Sequence, residues 1–150
     1  MSIAYNVERL ADVLHEIKPL VILHWNDVSD GSEGEPDPAW DTMIALEGQG
    51  IFKLFTTRDD GKLVGYTAFI IAPHMHYRKM SVAHDDAFFL HRDYRKGGTG
   101  FKMFKFAEEY LKAMGVNRIV CHEKLKAPLE KFFNYLGFRA VERNWFKDIQ

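Results

Sequence analysis

Apolar positions along this chain alternate between a helical and a strand period, and the changeovers mark its elements. Leu10, Ala11, Leu14 and Ile17 keep to one helical face, with Asn6 placed to cap the helix and Pro19 to stop it or open the next turn. From Asp27 to Pro38 the periodicity lapses; five acidic residues, Gly31, Gly34, Pro36 and Pro38, with no basic residue among them, predict a loop. Asp37-Pro38 then reads as cap and first position of a short helix through Met43, Ile44 and Leu46 to Gly48. Ile51 to Thr57 and Leu63 to Ile71 are β-branched and aromatic runs joined through Asp60-Gly61, a hairpin signal, and Ala72 to Val82 is an irregular connection. After a strand that includes Ala87 to Leu90, a helix from Phe101 to Met114 buries Phe101, Phe104, Ala107, Leu111 and Met114 and turns Lys102, Lys105, Glu109 and Lys112 to solvent. Gly115 closes it, Arg118 to Cys121 is a strand, Lys126 to Leu136 a helix with Pro128 in its first turn, and Arg139 to Phe146 a last strand. Strands and helices interleave, so the class is α/β or α+β.

Between the strand ending at Leu90 and the helix opening at Phe101 lies Arg95-Lys96-Gly97-Gly98-Thr99-Gly100. A glycine turn leading from a strand into a helix aims free backbone N–H groups outward at the positive end of the helix dipole, which suits phosphate. Gly98 and Gly100 would let the backbone approach an anion and take conformations closed to other residues, and Arg95 would add a charged fork. No Gly-Lys-Ser/Thr follows, and Met103 stands where a dinucleotide fingerprint needs its third glycine, so the pattern is neither of those loops but R-x-x-G-x-G.

That pattern, between a strand and a helix, resembles the pyrophosphate loop of the GNAT superfamily of acetyl-CoA-dependent N-acetyltransferases. Leu90 to Arg95 resembles the family's lead-in, and Phe132-Phe133-Asn134-Tyr135-Leu136-Gly137-Phe138 its second signature, so the resemblance covers roughly Ala83 to Phe146. More loosely, the chain resembles short proteins of this type encoded by bacteriophages. The resemblance implies a GNAT-like mixed, mostly antiparallel central sheet flanked by helices, in a single domain over residues 1–150. It implies acetyl-CoA as cofactor, held by Arg95, Lys96, Gly97, Gly98, Thr99 and Gly100, with a backbone N–H near Phe89 or Leu90 polarising the thioester carbonyl. It also puts Phe133 against the cofactor where the family usually has the tyrosine that protonates the departing thiolate; phenylalanine cannot donate. Tyr135 lies about 200° around the helix from that position, which leaves Tyr94, water or no dedicated acid, as in some enzymes of the resembled type, and Lys126 stands near the place of a family asparagine.

Composition narrows the rest. At 150 residues, 47% hydrophobic and 27% charged with 12 Phe, the chain has the makeup of one globular domain with an aromatic core. A formal net charge of −1 offers no basic field for nucleic acid. Cys121, alone, excludes an internal disulfide and reads as a buried thiol in a strand. Pro19 to Leu23 is too short to span a membrane, no signal peptide is recognisable, and the expected compartment is the cytoplasm.

An amine acceptor arrives protonated, with a reference pKa near ~10.4 for lysine, so something must take its proton. In the resembled family the base often stands on the strand before the loop. Period-two alternation there puts His84, Asp86, Phe88 and Leu90 on one face and Asp85, Ala87 and Phe89 on the other, making His84 and Asp86 the base candidates. Asp86 reads equally well as a carboxylate ordering the 72–82 connection, and His84 as a surface residue at the strand start. His74 and His76 lack the spacing of a recognised metal site, so no metal is expected. The acidic 27–38 loop reads as solvated, or as a steering field for a cationic amine. The expected function is acetyl transfer to a primary amine, in a small molecule or a protein lysine, by direct attack. The alternative is a catalytically weak or inactive CoA-binding or protein-binding module of the same fold. A homodimer is compatible with the sequence.

Overall fold

The computed structural model describes residues 1–150. One five-stranded sheet has the order β1 (Ile3–Val7), β2 (Phe52–Asp59), β3 (Lys62–Pro73), β4 (Ser81–Leu90), β5 (Arg118–Val120). Pairing is antiparallel throughout except between β4 and β5, which run parallel. The hairpin turn falls where expected: Asp60 (φ 47°) and Gly61 (φ 86°) are both left-handed, the combination whose twist matches the flanking strands.

Two cores lie on opposite faces of the sheet. On one, α1 (Leu10–Val28) and α2 (Trp40–Gly48) cover Phe52, Leu54, Tyr66, Ala68 and Phe89. On the other, α3 (Thr99–Ala113) and the short α4 (Glu130–Tyr135) cover Phe55, Phe69, Ala83 and Phe88. Phe55, Phe69, Phe104 and Leu111 in the second core are fully buried, and the rings of Phe69 and Phe104 meet edge to face at 6.0 Å.

Several sequence expectations are corrected. Asn6 caps nothing, because it pairs with Thr56 in the edge strand β1. The first N–H of α1, at Leu10, donates instead to Glu47 Oε1 of α2 at 2.7 Å, a cap supplied from far along the chain. Pro19 neither stops nor restarts the helix; it sits on the exposed side, while Leu10, Val13, Ile17 and Leu20 are pinned against the sheet and Ala11 is exposed. Burial of that stripe outweighs the lost bond at Pro19. The helix therefore absorbs Asp27, and the loop begins at Ser29. The helix that carries Phe132 is shorter than expected, since the Glu123 carboxylate accepts the Leu129 N–H and holds residues 123–129 in a turn. The expected strand over Arg139 to Phe146 does not form: β5 is only three residues long, too short a template for a further ladder, and Trp145 and Phe146 are exposed.

Candidate active site

The site begins where the two parallel strands part. β4 and β5 pair only at Val82, Ala83 and His84, opposite Arg118, Ile119 and Val120. Beyond His84 the far edge of β4 has no strand beside it. N–H groups alternate sides along a strand, and His91 N–H donates to Val64 O of β3. Phe89 and Ala87 therefore also face β3, and Phe88 and Leu90 face the open edge. Of the two carbonyl-polarising donors expected, Leu90 stands on the cleft; Phe89 points its N–H into the sheet and contributes its ring instead.

At the upper end of this edge is the glycine loop. Gly97 (φ 80°) and Gly98 (φ 81°) are left-handed, which lets the chain reverse into α3. The first bond into the helix runs from Lys102 N–H to Gly98 O, leaving the backbone N–H groups from Lys96 to Phe101 without partners in the chain and gathered at a helix N-terminus. Thr99 is buried, its carbonyl accepting from Tyr5 Oη at 3.4 Å. Gly100 departs from expectation. It lies in regular helix, and a Cβ built there would meet Leu90 Cδ2 at 3.6 Å, Phe132 Cε2 at 3.9 Å and Phe88 Cζ at 3.9 Å. Its bare face is turned to the protein, where β4 and α4 close on α3. Arg95 likewise turns inward: Nε donates to Leu90 O at 2.7 Å, Nη2 to the Asp27 carboxylate, and the guanidinium lies 5.7 Å over the Phe89 ring. It braces the end of β4 to α1. Lys126 Nζ, donating to Ser29 O at 2.6 Å, ties the same end of α1 to the segment before α4.

At the lower end, ionisable side chains gather. Ala68 pairs with Ala87 but Phe69 with Asp85, so Asp86 is the extra residue of a β-bulge. The bulge inverts the alternation: His84 shares a face with Ala87 and Phe89, not with Phe88, which packs on the α3 side. His84 is exposed. Asp86 reaches solvent but is crowded by protein, and that desolvation, with the neighbouring Asp85 charge second, raises its carboxyl pKa. The Asp85 side chain is 8% exposed; it accepts the His122 backbone N–H at 3.2 Å and the His122 Nδ1–H at 2.6 Å. That bond outweighs the desolvation of the ring and raises the His122 pKa. Burial first, and Asp85 second, push the Cys121 thiol up, so it stays protonated.

Two further residues pack around Phe89 on the α1 face of the sheet. His24 Nδ1 lies 2.9 Å from Tyr66 Oη, and its ring stacks on Phe89 with centroids 5.3 Å apart. Burial lowers the His24 pKa to about 4, so it is neutral, and the Tyr66 hydroxyl is raised by burial and by Asp86. None of Asp85, His122, His24 or Tyr66 stands out in sequence. The Asp86 bulge and the Asp85–His122 pairing require knowing which strands meet. Tyr94 Oη donates to Asp59 Oδ2 at 2.8 Å, and the Phe133 ring packs on Phe132 and Phe138.

A split parallel pair flanked by a glycine loop that opens a helix and by an ionisable cluster is the architecture of an acetyltransferase fold. The family model of the acetyltransferase (GNAT) family matches residues 17–138, and the chain belongs to that family. Among solved structures it is similar to the ribosomal-protein-alanine N-acetyltransferase of Brucella melitensis biovar Abortus 2308, with TM-score 0.80, 17% identity, and coverage of 100% of this chain and 99% of that one. An aminoglycoside acetyltransferase from an uncultured soil metagenomic sample, in complex with sisomicin, aligns with TM-score 0.76 and 10% identity over 99% of this chain and 97% of that one. A Trypanosoma brucei acetyltransferase aligns with TM-score 0.73 and 19% identity over 99% and 100%. At these identities the likeness establishes the fold. No curated protein sequence matches the chain. No helix is long and apolar enough to cross a membrane.

Proposed function

We propose that this protein transfers the acetyl group of acetyl-CoA to a primary amine by direct attack on the thioester. The observation that carries the reading is the continuity of the open β4 edge: it leads from the unpartnered N–H groups of the loop down to the Asp85, Asp86 and His122 cluster. Five residue steps at the strand rise span roughly 16 Å. CoA has matching chemistry, a pyrophosphate at one end, a thioester at the other and two amides between them to pair with the strand edge.

In this reading the backbone N–H groups of Lys96, Gly97, Gly98, Thr99 and Gly100 bind the pyrophosphate. Lys96, exposed and unpaired, adds charge, and Arg95 holds the loop in place. The Leu90 or Phe88 N–H polarises the thioester carbonyl. Asp86 and His84 stand on the acceptor side, where the Asp86 carboxylate attracts an ammonium group. Fold-relatives named for an aminoglycoside and for a ribosomal-protein alanine span acceptors of both sizes on this scaffold, which supports a primary amine as the acceptor class.

Calorimetric titration with acetyl-CoA and CoA, followed by turnover on a panel of lysine peptides, polyamines and aminoglycosides, tests this. Lys96→Glu should weaken CoA binding about tenfold, about 1.4 kcal/mol, with the difference shrinking as salt rises. A folded protein that binds neither ligand refutes the reading. Binding without turnover on any amine selects the second reading, a CoA-binding module, which the missing hydroxyl at Phe133 favours.

A further inference from the structure

We propose that His122, oriented by Asp85, takes the proton from the acceptor amine, an assignment that rests on the acetyl-transfer reading above. The pair stands at the last tie between β4 and β5, where the strands begin to part and the open edge ends. The Asp85 carboxylate, almost wholly buried, grips both the backbone N–H and the Nδ1–H of His122. That double hold fixes the ring and its tautomer and leaves Nε2 to exchange protons. The His122 side chain is 43% exposed, so an incoming amine can reach it.

The choice between His122 and Asp86 follows from basicity. A base works best with a pKa near the working pH. Imidazole starts near ~6.5 and a carboxylate near ~3.9, and the Asp85 carboxylate raises the His122 pKa further, so the imidazole starts nearer the working pH. The charges facing His122 are Asp85 and Asp86 from β4 and Lys124 from its own segment; His24 faces it from α1 as a neutral ring, and the adjoining Cys121 is a protonated thiol. Asp86 is left to hold the ammonium by charge while His122 deprotonates it.

The steps balance as follows. One proton of the ammonium passes to His122 Nε2. The freed lone pair forms the C–N bond to the thioester carbonyl carbon, and the C–S bond breaks with its electron pair on sulfur. Sulfur takes the second proton that nitrogen sheds, directly or through water, and the His122 proton is released to solvent.

The test is the pH dependence of kcat/KM for one amine, on wild type, His122→Gln and Asp85→Asn, with acetyl-CoA binding measured on each. The acceptor's own ionisation is common to all three and cancels in the comparison. Because the imidazole must be neutral to act, wild-type kcat/KM rises with pH through the His122 pKa. His122→Gln should lose that limb and about 10²-fold in rate, with acetyl-CoA affinity unchanged. Asp85→Asn removes the group that raises the pKa, so the limb should move to lower pH with a lower plateau. Added imidazole should restore part of the activity of His122→Ala, which a purely structural role would not allow. A working wild type whose rate and limb survive His122→Gln, or whose limb stays in place in Asp85→Asn, overturns this assignment alone. A wild type that binds acetyl-CoA but acetylates no amine overturns the transfer reading and this one with it.

Discussion

Gly98 and Gly100 share one motif, but the structure assigns their substitutions opposite signs. Gly98 precedes the helix at φ 81°, where an alanine Cβ meets nothing within 4 Å, so the whole penalty of Gly98→Ala is backbone strain, about 1 to 2 kcal/mol. Gly100 has helical backbone, and an added methyl would make ordinary contacts at 3.6 to 3.9 Å with Leu90, Phe132 and Phe88. Helix propensity then favours Gly100→Ala by up to about 1 kcal/mol, and partial burial of the methyl adds less than about 0.8 kcal/mol. For a chain of this size each 1 kcal/mol moves Tm by about 2 to 4 °C. Gly98→Ala should therefore melt a few degrees below wild type and Gly100→Ala a few degrees above it, with CoA binding retained in Gly100→Ala. Thermal melts and calorimetry on the two variants decide the matter. If Gly100→Ala melts normally yet binds no CoA, the bare face of Gly100 is ligand surface and the geometry argued above is wrong. Larger residues at Gly100 test something else, because they would pry α3 from β4 and α4 and lose binding through damage to the fold.

Two predictions concern charge near the cleft. The His24 pKa is depressed from 6.5 to about 4, so its stabilisation is complete above 6.5 and is lost as pH falls toward 4. Between pH 7 and pH 5 wild type should lose roughly 2 kcal/mol more than His24→Gln, read from urea unfolding at both pH values; equal losses would show that His24 is not held neutral. Asp86 has a raised pKa, so the fold disfavours its charged form and stability falls as pH rises through that pKa. Asp86→Asn should accordingly raise Tm at pH 7 while raising KM for a cationic amine; a lower Tm would mean that the carboxylate is a structural anchor.

What the sequence disclosed, and what it hid, divides by range along the chain. The Asp60-Gly61 turn, the amphipathic helix after the loop and the left-handed Gly98 are local, since each depends on residues within a few positions, and each lies where the pattern puts it, except that the helix buries Met103 and leaves the expected core residue Met114 exposed at its end. The errors arise where a distant partner decides. Pro19 signals a helix end to its neighbours, but the stripe from Leu10 to Leu20 is fixed by the sheet; Glu47 caps a helix that begins 37 residues earlier. The candidate site divides in the same way. Its glycine-loop end is a continuous motif, and the position of that loop before α3 is legible in the sequence. Its ionisable end depends on the bulge at Asp86, which reverses strand alternation, and on Asp85 meeting His122 across 37 residues of chain. Alternation alone points to His84 and Asp86 on a shared face; one inserted residue brings Asp85 to the strand junction, and with it the histidine that a scan of β4 alone would miss. Where two parallel strands part, the ionisable groups at the parting point are set by the register of both strands.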